Sequence, residues 1–290
     1  MRILSGKELS ERIEAGLKDE AVRLAGRGVR PCLAVVLAGD DPASHTYVRN
    51  KIKAAERVGI RSIDKFLPAS VSQRELESVI AELNGDPGVH GVLCQMPLPL
   101  QLDPERITRL VDPAKDVDCF HPENVGLLAM GQPRFLPCTP AGVIEILSSS
   151  GISAAGKHAV VLGRSNIVGR PLSLMLSQKG MDATVTVCHS RSQDLERHTR
   201  SADILVAAIG KPEFVKGGMV REGAVVIDVG VNRIADATKK SGFRLVGDVH
   251  FESVAPRAEA ITPVPGGVGL MTIVMLLRNT LAAARERGPG

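Results

Sequence analysis

The chain has no tryptophan and one tyrosine, and aromatic residues make up only 2% of its 290 positions. Aromatic platforms for stacking single-stranded nucleic acid are thereby nearly excluded. Charge of one sign is scarce as well: the net charge is +4, spread along the chain and not clustered. Such a surface gives little footing to a nucleic-acid partner and only slightly favours small anions. No C-x-x-C occurs, and the five cysteines (Cys32, Cys94, Cys119, Cys138, Cys188) are odd in number. They read as reduced, mostly buried thiols of a cytosolic protein. The seven histidines lack ligand spacing such as H-x-x-x-H, so no metal site is expected. Long apolar runs are missing too. The N-terminal MRILSGKELSERIEAGL mixes charged and apolar residues at helical spacing, without a secretory apolar core. No run approaches the roughly 18 apolar residues of a membrane span, so a cytoplasmic protein is expected.

What is present is an ordinary globular balance, 44% apolar and 23% charged, over a length that suits one large domain or two of usual size. Short apolar runs alternate with helical patterns. CLAVVLAG (32–39), RSIDKFLP (61–68) and VHGVLCQMPLP (89–99) read as strands, with helices over 45–58 and 73–84 between them. Ser72 and Glu75 form a capping box, and Asp103 before Pro104 opens a further short helix. Strands at 158–163, 183–187, 203–209 and 224–229 repeat the rhythm. Alternation of this kind predicts parallel sheets with crossover helices. A boundary is placed near PCTPAGVIEIL (137–147), with Thr139 as N-cap and Pro140 in the first helical turn. A second crossing lies near TPVPGGVGL (262–270), before an apolar helix over about 271–284. The expectation is an α/β protein of two domains with parallel sheets, the second Rossmann-like, and a ligand cleft between them.

The stretch VVLGRSNIVGRP (160–171) sits where a phosphate-binding turn sits, after a buried strand and before a helix. It departs from G-x-G-x-x-G: Gly163 is in place, Ser165 and Val168 stand where glycines would, and Gly169 comes one place late. Alone it also fits an ordinary strand-to-helix turn. The next strand runs into CHSRS (188–192), where an NAD-binding protein carries an acid for the ribose 2′-hydroxyl. Here His189, Ser190 and Arg191 supply donors and positive charge, joined by Arg164, which suits a 2′-phosphate and so NADP over NAD. Cofactor contacts are expected from Gly163, Arg164, Ser165, Ile167, Val168, Gly169, His189, Ser190 and Arg191. Gly210 and Val231, beyond the strands of DILVAAIGKP and VVIDVGVN, complete the set.

In the first half Tyr47 and Lys51 are four apart, neighbours on one helix face. Val48, Ile52 and Ala55 make the adjoining apolar stripe, which leaves Tyr47 and Lys51 on its flank. Short-chain dehydrogenases share the Y-x-x-x-K spacing, but in them the glycine loop comes first, whereas here it follows by roughly 110 residues.

With S44-x-x-Y47-x-x-x-K51 and KAAERVGI (53–60) stand GVLCQMPLP (91–99) and PAKDVDCFHPENVGLL (113–128). PCTPAG (137–142), GRSNIVGRP (163–171), VVIDVGVNR (225–233) and ITPVPGGVGLMT (261–272) follow in order. Through these segments the chain resembles, nearly end to end, the bifunctional methylenetetrahydrofolate dehydrogenase/methenyltetrahydrofolate cyclohydrolase family. The resemblance implies oxidation of 5,10-methylenetetrahydrofolate by NADP+, then hydrolysis of the methenyl form to 10-formyltetrahydrofolate. It implies Lys51 as the central residue of hydration, oriented by Gln95, with Tyr47 stacked on the folate aminobenzoyl ring and Asp118 accepting from pterin N–H groups. A neutral amine becomes an accessible proton acceptor beside a cationic, desolvating folate, and an amide partner adds no charge to oppose this. Ser44, Pro263, Gly266 and Gly267 are the further folate contacts implied, the last three in a wall stiffened by proline and opened by glycine.

By the same resemblance the folate domain is 1–138 plus 268–290, the NADP domain is 139–267, and the enzyme is a homodimer. Two positions depart from the family pattern. Leu270 stands where GGVGPMT has proline, and Cys119 stands where DVDGF has glycine, a strained place if φ is positive. An NAD(P)-dependent dehydrogenase of another small substrate, or an NADP sensor without chemistry, remains open at this point.

Overall fold

Runs such as Cys32–Ala38, apolar at every position, can only be buried on both faces, and that is the mark of a parallel sheet covered by helices. The computed structural model describes residues 1–239 and 242–287. Its first half runs β1 (Arg2–Ile3), α1 (Gly6–Gly26), β2 (Cys32–Ala38), α2 (Pro42–Val58), β3 (Arg61–Leu67), α3 (Gln73–Gly85), β4 (Gly91–Cys94), α4 (Pro104–Leu110), α5 (Pro122–Ala129) and α6 (Cys138–Ser149). Then come β5 (His158–Leu162), α7 (Gly169–Ser177), β6 (Thr184–Cys188), α8 (Leu195–Arg200), β7 (Ile204–Ala207), β8 (Val225–Asp228), β9 (Asn232–Ala235), β10 (Phe243–Val246), α9 (Phe251–Val254), β11 (Ala260–Ile261) and α10 (Val268–Arg287).

The chain divides into two compact units. One holds Arg12–Pro137 and the chain from Ile273 onward; the other holds Met1–Glu11 and Cys138–Thr272. The limits of the units at both chain ends have a physical basis. β1 pairs in parallel with β11, Arg2 opposite Ala260, so the first residues join the sheet of the second unit. At the other end the Thr272 hydroxyl meets that of Thr139 at 3.0 Å, and Gly142 packs against Met271. These contacts tie the start of α10 to α6.

The first unit is a parallel sheet in the order β3-β2-β4. Alternate residues of β2 (Cys32, Ala34, Val36, Ala38) pack with Leu76, Ile80 and Leu83 of α3 and Ile107 of α4. The capping box at Ser72 is formed, Asp103 caps α4, and Gly59 ends α2 with φ +89°. The strand expected over 89–99 is shorter, because Pro97 and Pro99 bring no N–H to a ladder. Lys115, fully buried, donates its ammonium hydrogens to the carbonyls of Leu83, Asn84 and Asp86. It therefore caps the C-terminal end of α3, where carbonyls lack helical partners. Along α10, Asn279 donates to the carbonyls of Val117 and Leu136. This helix is long and apolar enough to cross a membrane by composition, yet two thirds of its apolar window is buried in the protein, the behaviour of a core helix.

The second unit is a six-stranded sheet, β1-β11-β8-β7-β5-β6, with every pairing parallel. Its core joins Val160, Leu162, Leu205, Ala207, Val226 and Ile261 from the strands with Val254 of α9 and Ala258 beyond it. β9 and β10 form a separate antiparallel pair. α6 begins at Cys138, so Thr139 lies inside the helix and is not its N-cap; its hydroxyl is engaged by Thr272 instead.

Candidate active site

Ser44, Tyr47, Lys51, Gln95 and Asp118 belong to the first unit, with Gln95 directly after β4, and the C-terminal ends of parallel strands are where α/β sheets hold ligands. Asp41 caps α2 by accepting from the Ser44 amide, and the same carboxylate oxygen accepts from the Ser44 hydroxyl, both at 2.8 Å. The helix then turns Ser44, Val48, Lys51, Ala55 and Val58 inward. Lys51 is only 4% exposed, which corrects the expected flank position. Its stem follows the apolar row, and its Nζ donates to Gln95 Oε1 at 3.0 Å. Tyr47, one turn earlier and half-buried, places its ring 5.1 Å from the same nitrogen. Gln95 is held on both sides: its amide donates to Val36 O (2.8 Å) and its Nε2 to Met96 O (2.6 Å).

Asp118 reaches this place through backbone pairing. Val92 donates to Lys115 O at 2.8 Å, and a parallel bridge joins Val92 to Asp116. Two residues further along both segments, Asp118 comes beside Cys94. Burial and the Asp118 charge push the Cys94 thiol up to about 12, so it is no nucleophile. Asp116 fixes the turn that follows: its carboxylate accepts from the amides of Phe120 and His121 and from Asn124 Nδ2. Burial pushes the Asp116 carboxyl up, while these donors oppose the shift. Cys119 does adopt a positive φ, +62°, and its thiol donates to Phe135 O at 3.2 Å.

The second unit holds the turn between β5 and α7. Gly163 has φ +117°, and a Cβ there would run into the Ala208 carbonyl. A Cβ on Gly169 would strike the carbonyl of Gly163 itself, so both positions demand glycine for close approach. Ser165 Oγ accepts from the amides of Val168 (3.1 Å) and Gly169 (3.4 Å), which leaves its proton for a ligand. Arg164, Ser165 and Ile167 are exposed, and Val168 is buried. After β6 the His189 Nδ1 accepts from the Arg191 amide at 3.2 Å, so the neutral ring carries its proton on Nε2. Ser190 and Arg191 are exposed beside it.

Gly163, Arg164, Ser165, His189 and Ser190 line one cavity of about 290 Å³, closed by Leu195, Ile209, Lys211 and Phe214. A tight glycine turn, a hydroxyl donor and cations fit a phosphorylated nucleotide, and the apolar side chains fit its base. Gly210 (φ +64°) and Val231 are exposed beyond β7 and β8. Pro263, Gly266 and Gly267 lie in this unit too. Gly266 O accepts from the Gly6 amide at 2.9 Å, and Gly267 has no room for a Cβ beside Pro263 O. The motifs of the sequence do not single out the cation Lys211 or the buried acids Asp116, Asp228 and Asp248. Acids closing or following apolar strands, as in VVID and LVGD, were their signal.

Residues 4–118 match the catalytic domain of tetrahydrofolate dehydrogenase/cyclohydrolase, and residues 137–288 match its NAD(P)-binding domain. The chain is 52% identical to a bifunctional protein FolD 2 of Geobacter sulfurreducens, over 99% of this chain and 98% of that one. The solved bifunctional FolD of Campylobacter jejuni superposes with a TM-score of 0.94 at 47% identity, covering 99% of each chain. A FolD of Trypanosoma brucei, solved with NADP and an inhibitor, gives a TM-score of 0.94 at 42% identity over 98% of this chain and 97% of that one. The chain belongs to the tetrahydrofolate dehydrogenase/cyclohydrolase family.

Proposed function

We propose that this chain oxidises 5,10-methylenetetrahydrofolate to 5,10-methenyltetrahydrofolate and hydrolyses that product to 10-formyltetrahydrofolate. NADP+, when bound, supplies the hydride acceptor for the first step. Gly163, Arg164, Ser165, Ile167, Val168 and Gly169 hold its phosphates, and His189, Ser190 and Arg191 join Arg164 at the 2′-phosphate. Gly210 and Val231 border its ribose and nicotinamide.

The folate lies against Tyr47, with Asp118 accepting from pterin N–H groups and Ser44 beside it. Lys51 takes a proton from the water that attacks the methenyl carbon; the carbon–nitrogen bond to N5 then breaks as the new hydroxyl becomes the formyl carbonyl, its proton passes to N5, and the proton on Lys51 leaves to solvent. Gln95 keeps the amine pointed at that carbon without adding charge. The observation that carries the reading is the Lys51–Gln95 contact, a buried amine held by a neutral amide at a strand end. A sensor of NADP has no use for it.

We place the enzyme in the cytoplasm as a homodimer, on family membership and on the five free thiols. The test is an absorbance assay with methylenetetrahydrofolate and NADP+ or NAD+, followed by methenyl hydrolysis without cofactor. NADP+ reduction and hydrolysis are both expected. Reduction of neither NADP+ nor NAD+ overturns the dehydrogenase, and hydrolysis no faster than in buffer overturns the cyclohydrolase.

A further inference from the structure

The nucleotide unit contains two buried carboxylates with no task in the reaction above. Asp228 closes β8, and Asp248 lies just beyond β10; they are 3% and 0% exposed. Asp228 Oδ1 accepts from the amides of Gly230 (3.0 Å) and Asp248 (2.9 Å), and its Oδ2 accepts from the amide of Val249 (2.9 Å). Asp248 Oδ2 in turn accepts from the amides of Ile209 (2.7 Å) and Gly210 (2.9 Å), and its Oδ1 from Asn232 Nδ2 (2.9 Å). The approach is close enough that a Cβ on Gly230 would strike the Asp248 carboxylate, and one on Gly247 would strike that of Asp228.

These bonds run in series. Asp228 fixes the backbone of Asp248, and the Asp248 side chain fixes the turn after β7 and, through Asn232 at the start of β9, the far end of the turn after β8. Both turns stand at the C-terminal ends of parallel strands, where nucleotides bind. Ile209 lines the same cavity as Gly163, Arg164 and His189, and Gly210 follows it directly. Asn232 adjoins the exposed Val231. The ligand-facing side of these turns is thus held from behind by one side chain.

The geometry points to Asp248 as a positioning residue for the NADP-binding turns, holding Ile209, Gly210 and Asn232 so that the nucleotide surface is formed before the cofactor arrives. This rests on the reading of the 163–169 turn as the cofactor site. With an asparagine oxygen kept on the Ile209 and Gly210 amides, its NH2 faces the NH2 of Asn232, donor against donor, and the mismatch is relieved only if Asn232 turns its amide. Exchanging the pair restores the match, since the side-chain amide at position 248 then donates to a carboxylate at position 232.

The experiment uses the full chain and measures Kd and KM for NADP+, cofactor-free cyclohydrolase rate and Tm. Asp248→Asn is expected to weaken NADP+ binding by about tenfold, the order of one mismatched buried hydrogen bond, with the cyclohydrolase rate within about twofold of wild type. The double variant Asp248→Asn/Asn232→Asp is expected to recover NADP+ affinity, and it carries the test if the single variant does not fold. An unchanged NADP+ Kd in the single variant overturns the proposal, as does equal loss of NADP+ binding and cyclohydrolase rate. A double variant that folds but binds NADP+ no better than the single one, or at least tenfold more weakly than wild type, overturns it too. A wild-type protein that binds neither NADP+ nor NAD+ instead overturns the reading of the 163–169 turn.

Discussion

Lys51 donates to Gln95 Oε1 at 3.0 Å while Gln95 Nε2 donates to Met96 O, so the amide can present only its oxygen to the amine. A flipped amide would set NH2 against the lysine and lose the carbonyl bond as well. The amine is therefore aimed by a neutral group whose orientation the backbone dictates. Nothing in that arrangement adds a fixed negative charge.

Lys51→Met keeps the buried stem and removes the amine. Cyclohydrolase turnover is expected to fall by at least about 100-fold, the scale of a lost general acid–base group, with folate still bound. Gln95→Glu places a carboxylate beside the amine, favours its charged form, and is expected to lower the hydration rate. Initial rates of methenyl hydrolysis across pH, with folate binding measured separately, check both. Wild-type hydration in Lys51→Met refutes the role.

Arg164 lines a cavity whose β6 end carries no acid, and the exposed Arg191 follows Ser190 of its lining. The double substitution Arg164→Ala/Arg191→Ala is expected to raise KM for NADP+ by about tenfold or more and to change that for NAD+ by no more than about twofold, because only NADP+ offers the 2′-phosphate. Steady-state kinetics with both cofactors decide it. An equal rise for both assigns the arginines to the shared pyrophosphate.

Cys119 holds φ +62°, a conformation that costs a residue with Cβ roughly 1 kcal/mol. Its side chain is also buried and donates to Phe135 O, so glycine relieves strain while losing packing and a weak bond. The opposing effects are each about 1 kcal/mol, and Tm of Cys119→Gly is expected within about 4 °C of wild type. Asp118 keeps its pairing segment, so KM for methylenetetrahydrofolate stays the same or falls. A large loss of folate affinity would make Cys119 an adaptation and not a tolerated departure.

The β–α alternation, the capping box at Ser72 and the turn at Gly163 were legible because each is written in neighbouring residues. Burial of Lys51 was not. Its partner stands 44 residues away, and the helical pattern alone set the lysine beside the apolar stripe. Thr139 carried a good local capping signal but was claimed by Thr272, a partner 133 residues distant. Asp248 was hidden for the same reason: its amide donors lie 38 and 39 residues upstream, and a lone acid after a strand looks like a surface turn. Asp118 was found only because a whole motif surrounded it; the pairing of its segment with β4 supplies the physical cause.

Asp228 gives the stability of the fold a pH dependence of known sign. Burial, with the neighbouring Asp248 charge acting the same way, pushes its carboxyl up to about 7 from an ordinary 3.8, against the pull of three backbone N–H donors. Between those values the folded chain keeps a proton that the unfolded chain has released. Protons bound in the unfolded state are then fewer, so this contribution is complete below about pH 4 and is lost as pH rises through 7. Asp228→Asn is neutral throughout and lacks the slope. Replacing an acceptor oxygen by NH2 opposite backbone N–H groups makes it less stable than wild type at pH 5 by about 1–3 kcal/mol. The gap between the two proteins is expected to narrow steadily from pH 5 to pH 8 in denaturant titrations. A gap that stays level or widens with pH would mean that Asp228 is ionised throughout, its three donors having outweighed its burial.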